Sequence, residues 1–236
     1  MPLVVTIASR QFRSFFNGPT AYIVLALVLF SLGFLFWETF FLYDRASLRE
    51  MFNLLRAILV VATPALTMGL IAEEKRTGTI ELLLTMPVTD RQVLLGKYLG
   101  VLAFFMVLIA LTFPYAITVA TLGPLDWGPV FSGYLGLFLQ GAAMLAIGLM
   151  ASTISDNQIV AFFVGLMLIA AFAMIGMLLP LLPVPIASIA EYVSFTYHFD
   201  GLSRGVIDLR AILYYLSIAL IAGLIALRSL ESRSWS

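Results

Sequence analysis

Several stretches of this chain run for about 20 residues with scarcely a charged side chain, the length at which one helix crosses the roughly 30 Å hydrocarbon layer of a bilayer. They recur along 236 residues with short breaks, and a soluble core has no place for so many of them. Of all residues 62% are hydrophobic and 11% are charged, and the mean hydropathy is +1.06, unlike a soluble domain. In lipid every backbone N–H and C=O must find its partner inside the chain, which leaves helices or a closed barrel. The alternating strands of about ten residues that mark a barrel are absent. The sequence therefore predicts an all-α, polytopic membrane protein, a single transmembrane domain over residues 1–236.

Six spans are predicted, at about 20–42, 53–72, 93–121, 130–152, 159–180 and 211–229, so both termini fall on one side. Ahead of them, residues 1–18 place Leu3, Val4, Ile7, Phe12, Phe15 and Phe16 at helical spacing among Thr6, Arg10, Arg13 and Asn17, the pattern of an amphipathic helix lying at the membrane interface. Arg10, Arg13 and Asn17 also interrupt any signal-peptide pattern, so the first span is expected to stay in the mature protein. Capping-box spacing at Ser47–Glu50, Thr89–Gln92 and Ser188–Glu191 predicts three helix starts, and Asp156 reads as a cap in the turn from Ser152 to Gln158. Pro180, Pro183 and Pro185 break the fifth span, and the aromatic and polar stretch over 180–210 predicts a short re-entrant element.

Of the 13 Lys and Arg residues, eight (Arg10, Arg13, Lys75, Arg76, Arg91, Lys97, Arg228 and Arg233) lie on the side of the termini, against Arg45, Arg49, Arg56, Arg204 and Arg210 opposite. That bias predicts cytoplasmic termini and a cytoplasmic loop over 73–92. A formal net charge of zero, with no exposed basic cluster, argues against a nucleic-acid partner. The absence of cysteine removes thiol and disulfide chemistry.

No catalytic, cofactor-binding or metal-ligating set is visible. His198 is the only histidine and reads as a hydrogen-bonded interfacial residue, not a base. Acidic residues are nearly missing from the spans, which leaves proton or sodium coupling without carriers. No phosphate-cradling glycine loop is present, so ATP and its Mg, where used, belong to a partner chain. What stands out is the charge cluster from Glu73 to Arg76, followed by Ile80, Leu82, Leu83, Leu84 and Met86 and stopped by Pro87. This predicts a short amphipathic coupling helix between the second and third spans, able to pair with a moving partner; a plain solvated loop is the alternative.

The segment Ala72-Glu73-Glu74-Lys75-Arg76-Thr77-Gly78-Thr79-Ile80-Glu81-Leu82-Leu83-Leu84-Thr85-Met86-Pro87-Val88, with Gly96-Lys97 beyond it, resembles the coupling segment of type-2 (ABC-2) ABC transporter permeases. The stretch from Ser194 to Asp208 is similar to the one before the last helix in the gliding-motility-type group of that family. The resemblance implies a multi-pass inner-membrane permease, paired with a second permease subunit and with cytoplasmic ABC ATPase subunits. Glu73, Glu74, Lys75, Arg76, Thr79 and Glu81 are expected to contact the ATPase, with Gly78 permitting close approach or a bend. Glu191, Tyr197, His198, Asp200 and Arg204 are expected to face substrate or an extracytoplasmic accessory subunit, or else to form a structural plug. Membrane lipids complete the expected partners. Export and transmission of a conformational change without transport both remain open, beside a scaffold that uses no ATP.

Overall fold

The structure is a computed structural model, and it describes residues 2–43, 47–78 and 88–232. Among the described residues eleven α-helices follow in order: α1 (Pro2–Asn17), α2 (Thr20–Tyr43), α3 (Arg49–Thr67), α4 (Gly69–Arg76), α5 (Asp90–Ala110), α6 (Phe113–Leu122), α7 (Trp127–Ile154), α8 (Gln158–Leu178), α9 (Val184–Val193), α10 (Phe195–Ser203) and α11 (Leu209–Glu231). A single 3-10 turn, Leu179–Leu181, joins α8 to α9, and no strand occurs among the described residues.

Six candidate spans match the expected ones within a few residues: Ala21–Glu38, Arg49–Arg76, Asp90–Leu122, Trp127–Ile154, Gln158–Leu178 and Leu209–Glu231. Two of them are broken. The second contains Pro64 and is interrupted at Met68, between α3 and α4. The third breaks at Thr112, where Pro114 opens α6 and the Thr112 hydroxyl donates to the Ile109 carbonyl at 2.7 Å. A proline lacks the N–H that would continue the ladder, so the break at Thr112 follows from Pro114. The interruption at Met68 lies a full turn past Pro64, whose carbonyl accepts the Met68 amide at 2.8 Å.

The core is built around α7, whose spanning window is 78% buried, far above the 17% to 22% of α2, α8 and α11. It packs against α11, α3, α8, α10 and α5. Its small residues make this possible. A Cβ on Gly133 would sit 2.2 Å from the Phe52 ring, one on Gly141 2.0 Å from Phe105, and one on Gly148 2.0 Å from the Thr67 hydroxyl. Between lipid-embedded helices the hydrophobic effect supplies no net attraction, so close backbone approach and van der Waals contact must hold the bundle.

The N-terminal helix α1 does form, and it runs lengthwise along the first half of α5. Ile7 lies over Gly96, Gln11 over Gly100, and the Phe15 ring stacks on Phe104 at 4.9 Å. Each step of one turn on α1 meets a step of one turn on α5, so the two helices lie nearly parallel, and α1 follows a candidate span instead of taking the in-plane course expected of an interfacial helix. At the start of α5, Arg91 comes within 4.0 Å of Glu231 at the close of α11. The start of α5 and the close of α11 therefore lie at one end of the bundle.

The helix starts need correction at three places. The Thr89–Gln92 capping box forms as expected, with both reciprocal hydrogen bonds. At Ser47 the box does not form: Leu48 is the N-cap of α3, and the Ser47 hydroxyl accepts only the Arg49 amide, at 3.3 Å. Ser188 starts nothing either. It lies inside α9, its hydroxyl turned back to the Pro185 carbonyl, because Pro183 and Pro185 set the helical start earlier. Asn157 rather than Asp156 caps α8, accepting from the Ile159 amide at 2.8 Å.

Gly100 generates a direct test of the α1–α5 packing. A Cβ there would meet the Gln11 side chain at 2.6 Å and, less forgivingly, the Ala8 carbonyl oxygen at 2.8 Å. Gly100→Ala is expected to cost about 1 to 3 kcal/mol. Gly223→Ala, which has open space around its new methyl, is expected to change stability little. Thermal unfolding of both variants in one detergent distinguishes them.

Candidate functional site

The charge cluster is the end of the second span's own helix. Glu73, Glu74, Lys75 and Arg76 occupy the closing turns of α4, which Gly78 terminates at φ +70°, a left-handed conformation that glycine alone adopts freely. The Thr77 amide donates to the Glu73 carbonyl at 2.9 Å and the Gly78 amide to that of Lys75 at 3.2 Å. Thr79 and Glu81, with the apolar run up to Pro87, lie outside the described residues.

What aims α4 is a hydroxyl from another helix. Ser152, fully buried near the end of α7, accepts the Ile71 amide at 3.0 Å and the Ala72 amide at 3.1 Å, and donates to the Met68 carbonyl at 2.9 Å. These groups border the break at Met68, so the inserted side chain supplies partners just where the helical ladder is interrupted.

Two of the four charged residues then turn inward. Lys97 of α5 reaches Glu74 at 2.6 Å and also donates to the Leu70 carbonyl, with only 4% of the lysine exposed. Lys75 donates to the Thr153 carbonyl and lies 3.7 Å from Asp156, its side chain 1% exposed. The Ser229 hydroxyl of α11 donates to that same carbonyl at 3.1 Å, so Thr153 ties α4, α7 and α11 together. Asp156 is thereby accounted for as an ion-pair partner. Glu73 and Arg76 stay outside and pair with one another at 2.8 Å. Of the residues expected to meet an ATPase, Lys75 is therefore unable to offer its ammonium in this conformation, while Glu73 and Arg76 can.

At the opposite end, α9 and α10 fold back against the bundle. Phe195, Phe199 and Leu202 are fully buried, and Phe195 stacks on Phe172 at 5.0 Å. Tyr215 donates to the Phe195 carbonyl at 2.8 Å and Thr196 to that of Ala173 at 3.3 Å. Phe195 and Phe199 are thus core residues; Tyr192 and Tyr197 remain exposed, as expected of interfacial aromatics.

The five candidates of this region do not converge on one site. His198 is buried, stacks on Tyr214 at 3.9 Å, and donates from Nε2 to the Tyr192 carbonyl at 3.1 Å. Burial holds its imidazole below the usual range, partly offset by that hydrogen bond and by the charge of Asp208. Tyr197 stands edge-on to it and outside. Asp200 faces Arg56 at 3.9 Å, whereas Glu191 is on α9 and Arg204 is exposed beyond α10.

Arg56 is the residue that sequence reading used only as a topological charge. Its guanidinium lies over the Phe199 ring, 4.8 Å from the centroid, and donates to the Asn53 carboxamide oxygen at 3.3 Å. Cation–π and ionic contacts of this kind gain strength where water is scarce. The signal available in the sequence was an arginine two turns into an apolar run. Ser152 had no signal of its own, since buried serines are common in membrane helices.

These features define a six-span helical membrane protein whose spans are joined at one end by a paired-charge collar. The family follows from the sequence match: the model described as "ABC-2 family transporter protein" covers residues 38–225, and the chain belongs to that family. The family is a membrane component of ABC transporters, not itself catalytic, and it works with an ABC ATPase. Comparison with curated proteins finds no match.

Ser152→Ala removes one acceptor shared by two amides and one donor at a buried helix break. It is expected to destabilise the bundle by about 1 to 3 kcal/mol. Ser152→Thr, which keeps the hydroxyl, should recover part of the loss. Chemical denaturation followed by tryptophan fluorescence in detergent checks both.

Proposed function

We propose that this chain is the permease subunit of an ATP-driven ABC transporter of the cytoplasmic membrane, and that the exposed face of α4 is where its separate ATPase docks. The observation that supports this most is the contrast within four consecutive residues: Glu74 and Lys75 are anchored to α5 and α7, while Glu73 and Arg76 are presented outward. A solvated loop has no reason for such anchoring. Held by Ser152, Lys97 and the Thr153 carbonyl, α4 forms a stiff end to the second span, and a push on its outer face moves α3 with it. Thr79 and Glu81 continue the docking segment. The basic bias supports a cytoplasmic location for this end and both termini.

The partner ATPase binds ATP and Mg, and two permease copies, identical or related, sit on two ATPase subunits. Within the family, the Ser194–Asp208 stretch supports a place in the gliding-motility-type group. The α9–α10 hairpin acts as a re-entrant extracytoplasmic element. Its connection to α3 through Arg56, Asp200 and Phe199 favours a second reading, in which the stroke is passed to an extracytoplasmic accessory protein and no substrate crosses.

The test is affinity purification of tagged protein from native membranes in mild detergent. An ATPase is expected to copurify, and Glu73→Lys with Arg76→Glu is expected to cut its retention at least about tenfold, the equivalent of 1.4 kcal/mol. Retention unchanged by both reversals, or no ATPase with the unaltered protein, overturns the reading.

A further inference from the structure

Helices α8 and α11 both pack on α7 and barely touch each other, and an apolar groove of about 190 Å³ opens between them. Its floor is Ile147 of α7 and Ala222 of α11, both nearly fully buried. Its rims are Leu168 on one side and Ile221 and Ile225 on the other, all exposed. No polar side chain lines it. Phe172, stacked on Phe195, closes it toward α10. All three helices are candidate spans, and the groove lies well inside each, so the material that reaches it is hydrocarbon.

A charge at one end of the groove says which hydrocarbon. Ile221, Ile225 and Arg228 follow at helical spacing of four and three, so they share one face of α11. Arg228 lies in the last turn, exposed, at the end of the bundle that carries the termini, and it pairs with no carboxylate among the described residues. The stripe from Ile218 to Ile225 rises about 10 Å, enough for a good part of one extended acyl chain. An arginine beyond such a stripe reaches phosphate at headgroup level, where its planar fork binds two oxygens at once.

We propose that the α8–α11 groove is a phospholipid site, with one acyl chain between the helices and the phosphate at Arg228. The site is independent of ATPase docking, because none of its residues belongs to the α4 collar. The occupant fills the gap that α8 and α11 leave over α7 and braces α8, which has few buried residues of its own.

The experiment reconstitutes the full chain in nanodiscs containing a phosphatidylglycerol with a photoactivatable diazirine in mid-chain, and maps adducts by peptide mass spectrometry. Adducts are expected to concentrate on Ile218, Ile221, Ile225 and Met150, at least about fivefold above Leu220 and Leu224, which are also exposed to lipid. Ile221→Trp, which blocks the groove from its exposed rim without touching the floor, is expected to remove that excess. Arg228→Glu is expected to reduce it by at least about threefold. Adducts spread evenly over Leu220, Leu224 and the groove residues overturn the proposal. So does an excess that survives both Ile221→Trp and Arg228→Glu. Size-exclusion profiles and melting curves of the two variants show that a loss of label is not a loss of fold.

Discussion

The Ser152 hydroxyl takes up the backbone groups at the break in the second span, and the seating of α4 on α7 depends on it. An amide buried in an apolar bundle without an acceptor costs about 1 to 3 kcal/mol, and two of them face this one oxygen. With the hydroxyl in place, the interruption between α3 and α4 leaves neither amide without an acceptor. Beyond it Glu74 meets Lys97, and Lys75 meets the end of α7.

The rest of the bundle is arranged around the same helix that supplies Ser152. Its glycines let Phe52, Phe105 and Thr67 approach the α7 backbone, which replaces the hydrophobic driving force that lipid withholds. One polar cluster lies near each end: the collar of α4, α5, α7 and α11, and the Arg56 contacts with α10. The α3–α4 pair joins them along one span, as α7 and α11 do through their own contacts with α10. A displacement imposed at Glu73 and Arg76 therefore has a physical route to Asp200 and Phe199, through one helix and its pinned break.

The spans were legible because length and apolarity decide them, and the Thr89–Gln92 box because both of its members lie together in sequence. Faces were not legible. Helices such as α7 and α8 are apolar all round, so periodicity gives no direction, and nothing told Gly133 or Gly141 which neighbour it would admit. Starts failed where a second device competed: Pro183 and Pro185 overrode Ser188, and Lys75 claimed Asp156 while Asn157 capped α8. The charge cluster was found from composition alone, but its division into inward and outward members depends on Lys97 and Thr153, residues distant in sequence. Arg56 was visible as a charge, and its role depends on Phe199 and Asp200, about 140 residues away.

The central claim, that the outer face of α4 receives the ATPase, is tested most directly by photo-crosslinking in native membranes. A benzophenone amino acid replaces Arg76 in one variant and Arg204, exposed at the opposite end, in another. The account predicts an adduct with an ATP-binding subunit from position 76 and none from position 204. No adduct at position 76, or an ATPase adduct from position 204, would contradict it.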